Sequence, residues 1–78
     1  MLNPVILLQG GQSMEVLTWQ ARTKRNLTLK QLAEMTGISK TTLNTIENGK
    51  TSPTLRQLEA IAIALDMKIS DLYDSEYK

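Results

Sequence analysis

Between Lys40 and Ile46 the chain sorts its side chains by direction. Leu43 and Ile46, three residues apart, belong on the inner side of a helix. Lys40, Thr41, Asn44 and Thr45 fall on the outer side and carry an amine, an amide and two hydroxyls. Such groups recognise a polar partner by hydrogen bonds. The residues for bond-making chemistry are missing. The 78 residues contain no His and no Cys, so neither a Ser–His nor a Cys–His nucleophile pair can be assembled. The commonest metal ligand and the Cys-x-x-Cys motifs go with them. No pair of carboxylates has an identifiable cleft. The chain reads as a non-enzyme with no metal and no cofactor.

A helix used in this way must be held at its back. Ala33 precedes Gly37 by four residues; Leu43 follows six later and Ile46 three after that. Two helices crossing steeply through a tight turn need a small residue at their closest approach, and Ala33 supplies it. The turn needs a residue free to go left-handed, and Gly37 supplies that. This is the plan of the helix-turn-helix, whose second helix enters the major groove of DNA.

The rest of the chain divides into further short helices. Met14 to about Lys24 is the first, with Met14, Leu17 and Ala21 on one face and Asn26 after its end. Thr28-Leu-Lys-Gln31 is a capping box that opens the second. Its inward residues are Leu29, Leu32 and Ala33, with Met35 a further candidate. Gly37 stops it, and Ile38 returns to the core. Ser39 caps the third helix, which runs to about Asn48 and is closed by Gly49. Thr54-Leu-Arg-Gln57 is a second capping box. It starts a fourth helix with Leu55, Leu58, Ile61, Ala62 and Leu65 as a wide apolar stripe, ending near Asp66. Ser70 is the candidate cap of a short fifth helix containing Leu72 and Tyr73. No stretch alternates long enough to be a strand. The expected fold is all-α, a compact bundle of about five short helices.

Charge is uneven along this frame. Residues 22–56 hold Arg22, Lys24, Arg25, Lys30, Lys40, Lys50 and Arg56 against Glu34 and Glu47, a balance of +5. Residues 57–78 hold Lys68 and Lys78 against Glu59, Asp66, Asp71, Asp74 and Glu76, a balance of −3. A basic middle beside an acidic end suits one face turned to a polyanion and another kept away. No apolar run, Val5–Leu8 included, approaches the ~20 residues of a membrane span. No signal peptide is marked, so a cytoplasmic protein is expected.

From Arg22 to about Tyr73 the chain resembles the Cro/repressor, or XRE, type of helix-turn-helix protein. Ile46-Glu47-Asn48-Gly49-Lys50 followed by Thr51-Ser52-Pro53 is the most specific match. Leu32-Ala33-Glu34, Gly37-Ile38-Ser39 and the Leu58–Leu65 stripe fit as well. The resemblance implies a lambda-repressor-like bundle that binds double-stranded operator DNA as a homodimer. Lys40, Thr41 and Thr45 match positions that reach base edges, with Asn44 beside them. Lys can donate to guanine, and a Thr methyl can meet a thymine methyl. Thr28, Lys30, Ser39, Thr42, Asn48, Lys50 and Thr51 are the phosphate-facing candidates. The resemblance also implies an internal ion pair between Arg22 and Glu47. Leu29 stands where many members carry a Gln that contacts the phosphate backbone, which implies a weaker or rearranged grip on the half-site.

The expected domain covers 14–74, with 75–78 as a tail and 1–13 as an N-terminal extension. Three readings of 1–13 stay open: a disordered leader with Met14 the functional start, a strand pairing with its copy, or a segment folded over its own domain. An exposed Val-Ile-Leu-Leu run costs solubility, which favours packing or pairing. Ile69, Leu72, Tyr73 and Tyr77 are candidates for a dimer contact or for a lid on the monomer core. Two functions follow. One is a DNA-binding transcriptional regulator, a repressor acting by operator occupancy as a dimer. The other is an antitoxin-like module with a protein partner, contacted through 1–13, that also binds its own operator.

Overall fold

The computed structural model describes residues 14–78. The three readings of 1–13 fall outside the described residues. In chain order the elements are β1 (Met14–Val16), α1 (Thr18–Lys24), α2 (Leu29–Thr36), α3 (Lys40–Glu47), α4 (Leu55–Leu65), a 3-10 turn (Ile69–Leu72) and β2 (Tyr73–Ser75).

Local chemistry sets most helix boundaries. Thr28 Oγ1 accepts from the Gln31 N–H at 3.1 Å, and Gln31 Oε1 accepts from the Thr28 N–H at 2.8 Å. Thr54 and Gln57 repeat the exchange at 3.0 and 2.9 Å, starting α4. α1, α3 and α4 end in paired backbone bonds around a left-handed residue, which satisfy carbonyls the helix leaves open. At α3 these are Gly49 N–H to Ile46 and Lys50 N–H to Thr45, around a Gly49 φ of +73°. At α1 and α4 the left-handed residues are Asn26 and Asp66.

α2 packs against α3 and α4, α1 against α3 and α4, and the 3-10 turn closes over α4. Ala21, Leu32, Leu43, Leu58, Ile61, Ala62, Leu65 and Leu72 form the buried core. Phe is absent from the chain, so this core is aliphatic.

The all-α expectation needs correction at both ends. β1 pairs antiparallel with β2 in the register Met14–Ser75, Glu15–Asp74 and Val16–Tyr73. α1 therefore begins at Thr18, not Met14, and Met14 is exposed. Leu17 donates its N–H to the Leu72 carbonyl at 2.8 Å, and that bond to the far end of the chain takes the place of a helical turn. The fifth helix is a four-residue 3-10 turn whose start is capped by Asp71 Oδ2 on the Lys68 N–H, not by Ser70. Tyr73 lies in extended backbone, in β2 and not in a helix.

Leu72 is buried in the core and cannot serve as a dimer contact, whereas Tyr77 is exposed. Leu55, expected on the apolar stripe of α4, is exposed at the start of that helix, and Met35 is exposed as well. At about 100° per residue it lies roughly 60° beyond Leu32 and off the apolar stripe.

Candidate nucleic-acid interface

The turn between α2 and α3 is held at each step. Gly37 adopts φ +76° and its N–H reaches the Ala33 carbonyl at 2.9 Å. A side chain there would meet nothing within 4 Å, so the glycine answers a backbone demand, not a steric one. Thr36 Oγ1 donates to the Leu32 carbonyl at 2.8 Å and accepts from the Ile38 N–H at 3.1 Å. Ala33 and Ile38, both half-buried, pack on the core beside this turn.

α3 leaves the turn at Ser39, whose Oγ accepts the Thr42 N–H at 3.1 Å and donates to Thr42 Oγ1 at 2.8 Å. Leu43 and Ile46 are buried on its inner side. Lys40, Thr41 and Asn44 are exposed on its outer side. Thr45 is half-buried, and its hydroxyl donates to the Thr42 carbonyl at 2.8 Å. Thr51 Oγ1 reaches Thr45 Oγ1 at 3.4 Å, linking the loop after α3 to the helix itself. Lys40 with Asn44, and Thr41 with Thr45, make two adjacent columns at four-residue spacing.

The phosphate-facing candidates frame these columns. Thr28, Lys30, Ser39, Asn48, Lys50 and Thr51 are exposed, while Thr42 is half-buried under its bonds to Ser39. Each capping hydroxyl takes the third N–H of its helix. The first two, on Leu29 and Lys30 and on Lys40 and Thr41, have no partner within their own helix. Such amides, at the positive end of a helix dipole, attract phosphate. Leu29 packs its side chain on the core and offers only its backbone to this edge.

Arg22 and Glu47 lock the frame. Arg22 Nε donates to Glu47 Oε2 at 2.6 Å and Nη2 to Oε1 at 3.0 Å, while Nη1 reaches the Leu27 carbonyl at 2.7 Å. The hydrogen bond that Arg22 donates to Glu47, joined by the carboxylate's charge, raises the Arg22 pKa against the opposing pull of burial. The guanidinium is therefore committed to the scaffold.

Two residues of the frame escape a reading of local pattern. Arg25 counts toward the basic middle, yet its Nε caps the Leu65 carbonyl at the end of α4 at 2.9 Å. Trp19 is exposed and lines a groove with Gln20, Asn48, Gly49 and Thr51, beside the end of α3. Neither contact has a signal in spacing, since both join distant parts of the chain.

Known proteins share this arrangement. The family described as helix-turn-helix matches residues 20–72. The HTH-type transcriptional regulator SinR of Bacillus subtilis is 33% identical over 60 residues, which is 76% of this chain and 54% of that protein. The HTH-type transcriptional regulator SutR of Escherichia coli is 43% identical over 51 residues, 65% of this chain and 29% of that protein. A crystal structure of an HTH_3 family transcriptional regulator from Vibrio cholerae superposes with a TM-score of 0.66 at 39% identity, covering 69% of this chain and 30% of that one. The chain thus spans about half or less of the length of these relatives. With the family matched across every helix and the Gly37 turn, this chain belongs to the helix-turn-helix family of the XRE type.

Proposed function

We propose that this chain is a sequence-specific DNA-binding transcriptional regulator that represses by occupying its operator as a dimer. The observation that carries the reading is the outer face of α3. Lys40, Thr41 and Asn44 stand in solvent there, on a helix whose back is fixed by Leu43, Ile46 and the Arg22–Glu47 pair. A polar rod held at its back and left uncovered by the described residues is suited to a major groove, about 12 Å wide.

In this reading Lys40, Thr41, Asn44 and Thr45 meet base edges. Thr28, Lys30, Ser39, Thr42, Asn48, Lys50 and Thr51 set the register on phosphates, which position without specifying. Two copies would place their α3 helices about 34 Å apart along one face of the duplex. Occupancy alone then blocks the polymerase, and no second domain is required for the effect. Among the described residues no helix is long and apolar enough to cross a membrane. A DNA partner, in this reading, makes the cytoplasm the compartment to expect.

Selection of bound fragments from random duplex DNA tests the proposal. The expected result is an enriched palindrome with half-sites one helical turn apart, protected by two copies of the chain. Recovery of no sequence preference would overturn specific regulation, and a single unrepeated half-site would overturn the dimer.

A further inference from the structure

Trp19 is the only tryptophan of the chain, and on α1 it is 52% exposed. Tryptophan is highly buried on average, so an indole half in water calls for a partner. Its place is set by the ion pair one turn away. Arg22 lies three residues on, along the same side of α1, and its fork onto Glu47 ties that side to the last residue of α3. Trp19 and Gln20 thereby line one groove, of about 700 Å³, with Asn48, Gly49 and Thr51. Asn48 and Thr51 are phosphate-facing candidates. The groove therefore continues the edge of the proposed DNA interface from the loop after α3 onto α1.

We infer that Trp19 is a further DNA contact, packing its ring on a deoxyribose and donating its indole N–H to a phosphate oxygen of the strand that passes this loop. The inference rests on the DNA-binding reading above and extends the same site. The chemistry of the two sides matches. The indole nitrogen only donates, and a phosphate oxygen only accepts. The ring presents an apolar face to the carbons of the sugar and a polar edge to what lies beyond it. Gln20, Asn48 and Thr51 are exposed and polar around it, which suits a sugar-phosphate strand better than an apolar segment.

Two carboxylates also line the groove, and they limit where the strand can lie. Glu47 is neutralised by Arg22. Glu15 is exposed on β1 and stands opposite Asp74 across the strand pair, so the two acids share one face. That face repels phosphate, and the strand passes at Trp19 without reaching β1. Trp19 carries no charge and displaces no counterion. It holds the backbone of every sequence alike, and sets register without reading bases.

As the sole tryptophan, Trp19 reports on itself. Titrating the full chain with duplex DNA of the selected sequence should shift and quench its emission, saturating together with the anisotropy of labelled duplex. Trp19→Phe keeps a ring and loses the donor, and should weaken binding about threefold; Trp19→Ala should weaken it about tenfold. Both should act equally on selected and unrelated sequences and leave the wild-type salt slope unchanged. Their Tm should stay where it is, since the side chain is already half in water. Glu15→Gln should tighten binding, most at low salt. Emission unmoved by saturating duplex, or a Trp19→Ala affinity within about twofold of wild type, overturns the contact and leaves the regulator standing. Emission already that of a buried indole before DNA is added overturns it too, in favour of residues 1–13 as the occupant. Wild-type chain that binds no duplex removes the regulator, and the contact with it.

Discussion

The guanidinium of Arg22 closes on the Glu47 carboxylate as a two-pronged fork, although 25 residues separate them in sequence. With the third bond to Leu27, one side chain joins the end of α1, the approach to α2 and the last residue of α3. The side chains are 12% and 4% exposed, so neither charge has ready access to water if its partner is lost. Glu47→Gln or Arg22→Met should each cost about 3 kcal/mol. The double change Arg22→Met/Glu47→Leu should recover a large part of that loss, which urea melts of the three variants would show. Since the pKa of Arg22 is raised, its contribution is complete at any pH below the ordinary guanidinium range and fades only above it. Additive single-variant costs would sink the account.

Thr18 offers the opposite test. It is 1% exposed, and its Oγ1 has no hydrogen-bond partner among the described residues. A buried hydroxyl without a partner keeps its desolvation cost and gains nothing in return. Thr18→Val holds the shape and removes the polar atom. It should stabilise by about 1 kcal/mol, raising Tm by about 4–8 °C. A lower Tm would mean that the hydroxyl is satisfied.

At Gly37 the cost of a side chain is conformational, because the space around it is open. Gly37→Ala should destabilise by about 1–2 kcal/mol, the penalty of a left-handed residue with a Cβ. Gly37→Asn should cost less, since Asn tolerates that region, as Asn26 does at φ +58°. Chemical melts that rank Asn no better than Ala would contradict this.

Binding should separate the two kinds of lysine. Lys40→Ala should weaken the selected site by about 1–3 kcal/mol and relax preference at one base pair. Lys50→Ala should weaken all sequences alike and reduce the salt slope by about 1. With about 4 phosphates engaged per subunit, log K against log salt should fall with a slope near −7 for a dimer. Anisotropy titrations across a salt series measure both effects, and near-absent salt dependence would remove DNA as the partner.

What could be read from the sequence follows the range of the interactions. The starts of α2, α3 and α4 are legible because each cap acts on an amide three residues away, at Thr28, Ser39 and Thr54. Gly37 and Gly49 are legible for the same local reason. The β1–β2 pairing is not, because Met14 and Ser75 meet only after the core has formed between them. Neither is Arg25, whose acceptor at Leu65 lies 40 residues on. The outer face of α3 was recognisable by pattern, and the Arg22–Glu47 pair only through family resemblance. Met35 misleads because an apolar side chain near a stripe need not lie on it.

The pairing of Met14–Val16 with Tyr73–Ser75 has a topological consequence. The polypeptide enters and leaves the domain side by side, on adjacent ribbons. Cargo joined directly to Met14 and cargo joined directly behind Ser75 would therefore be delivered to the same corner, and either tether could be exchanged for the other without re-aiming what it carries.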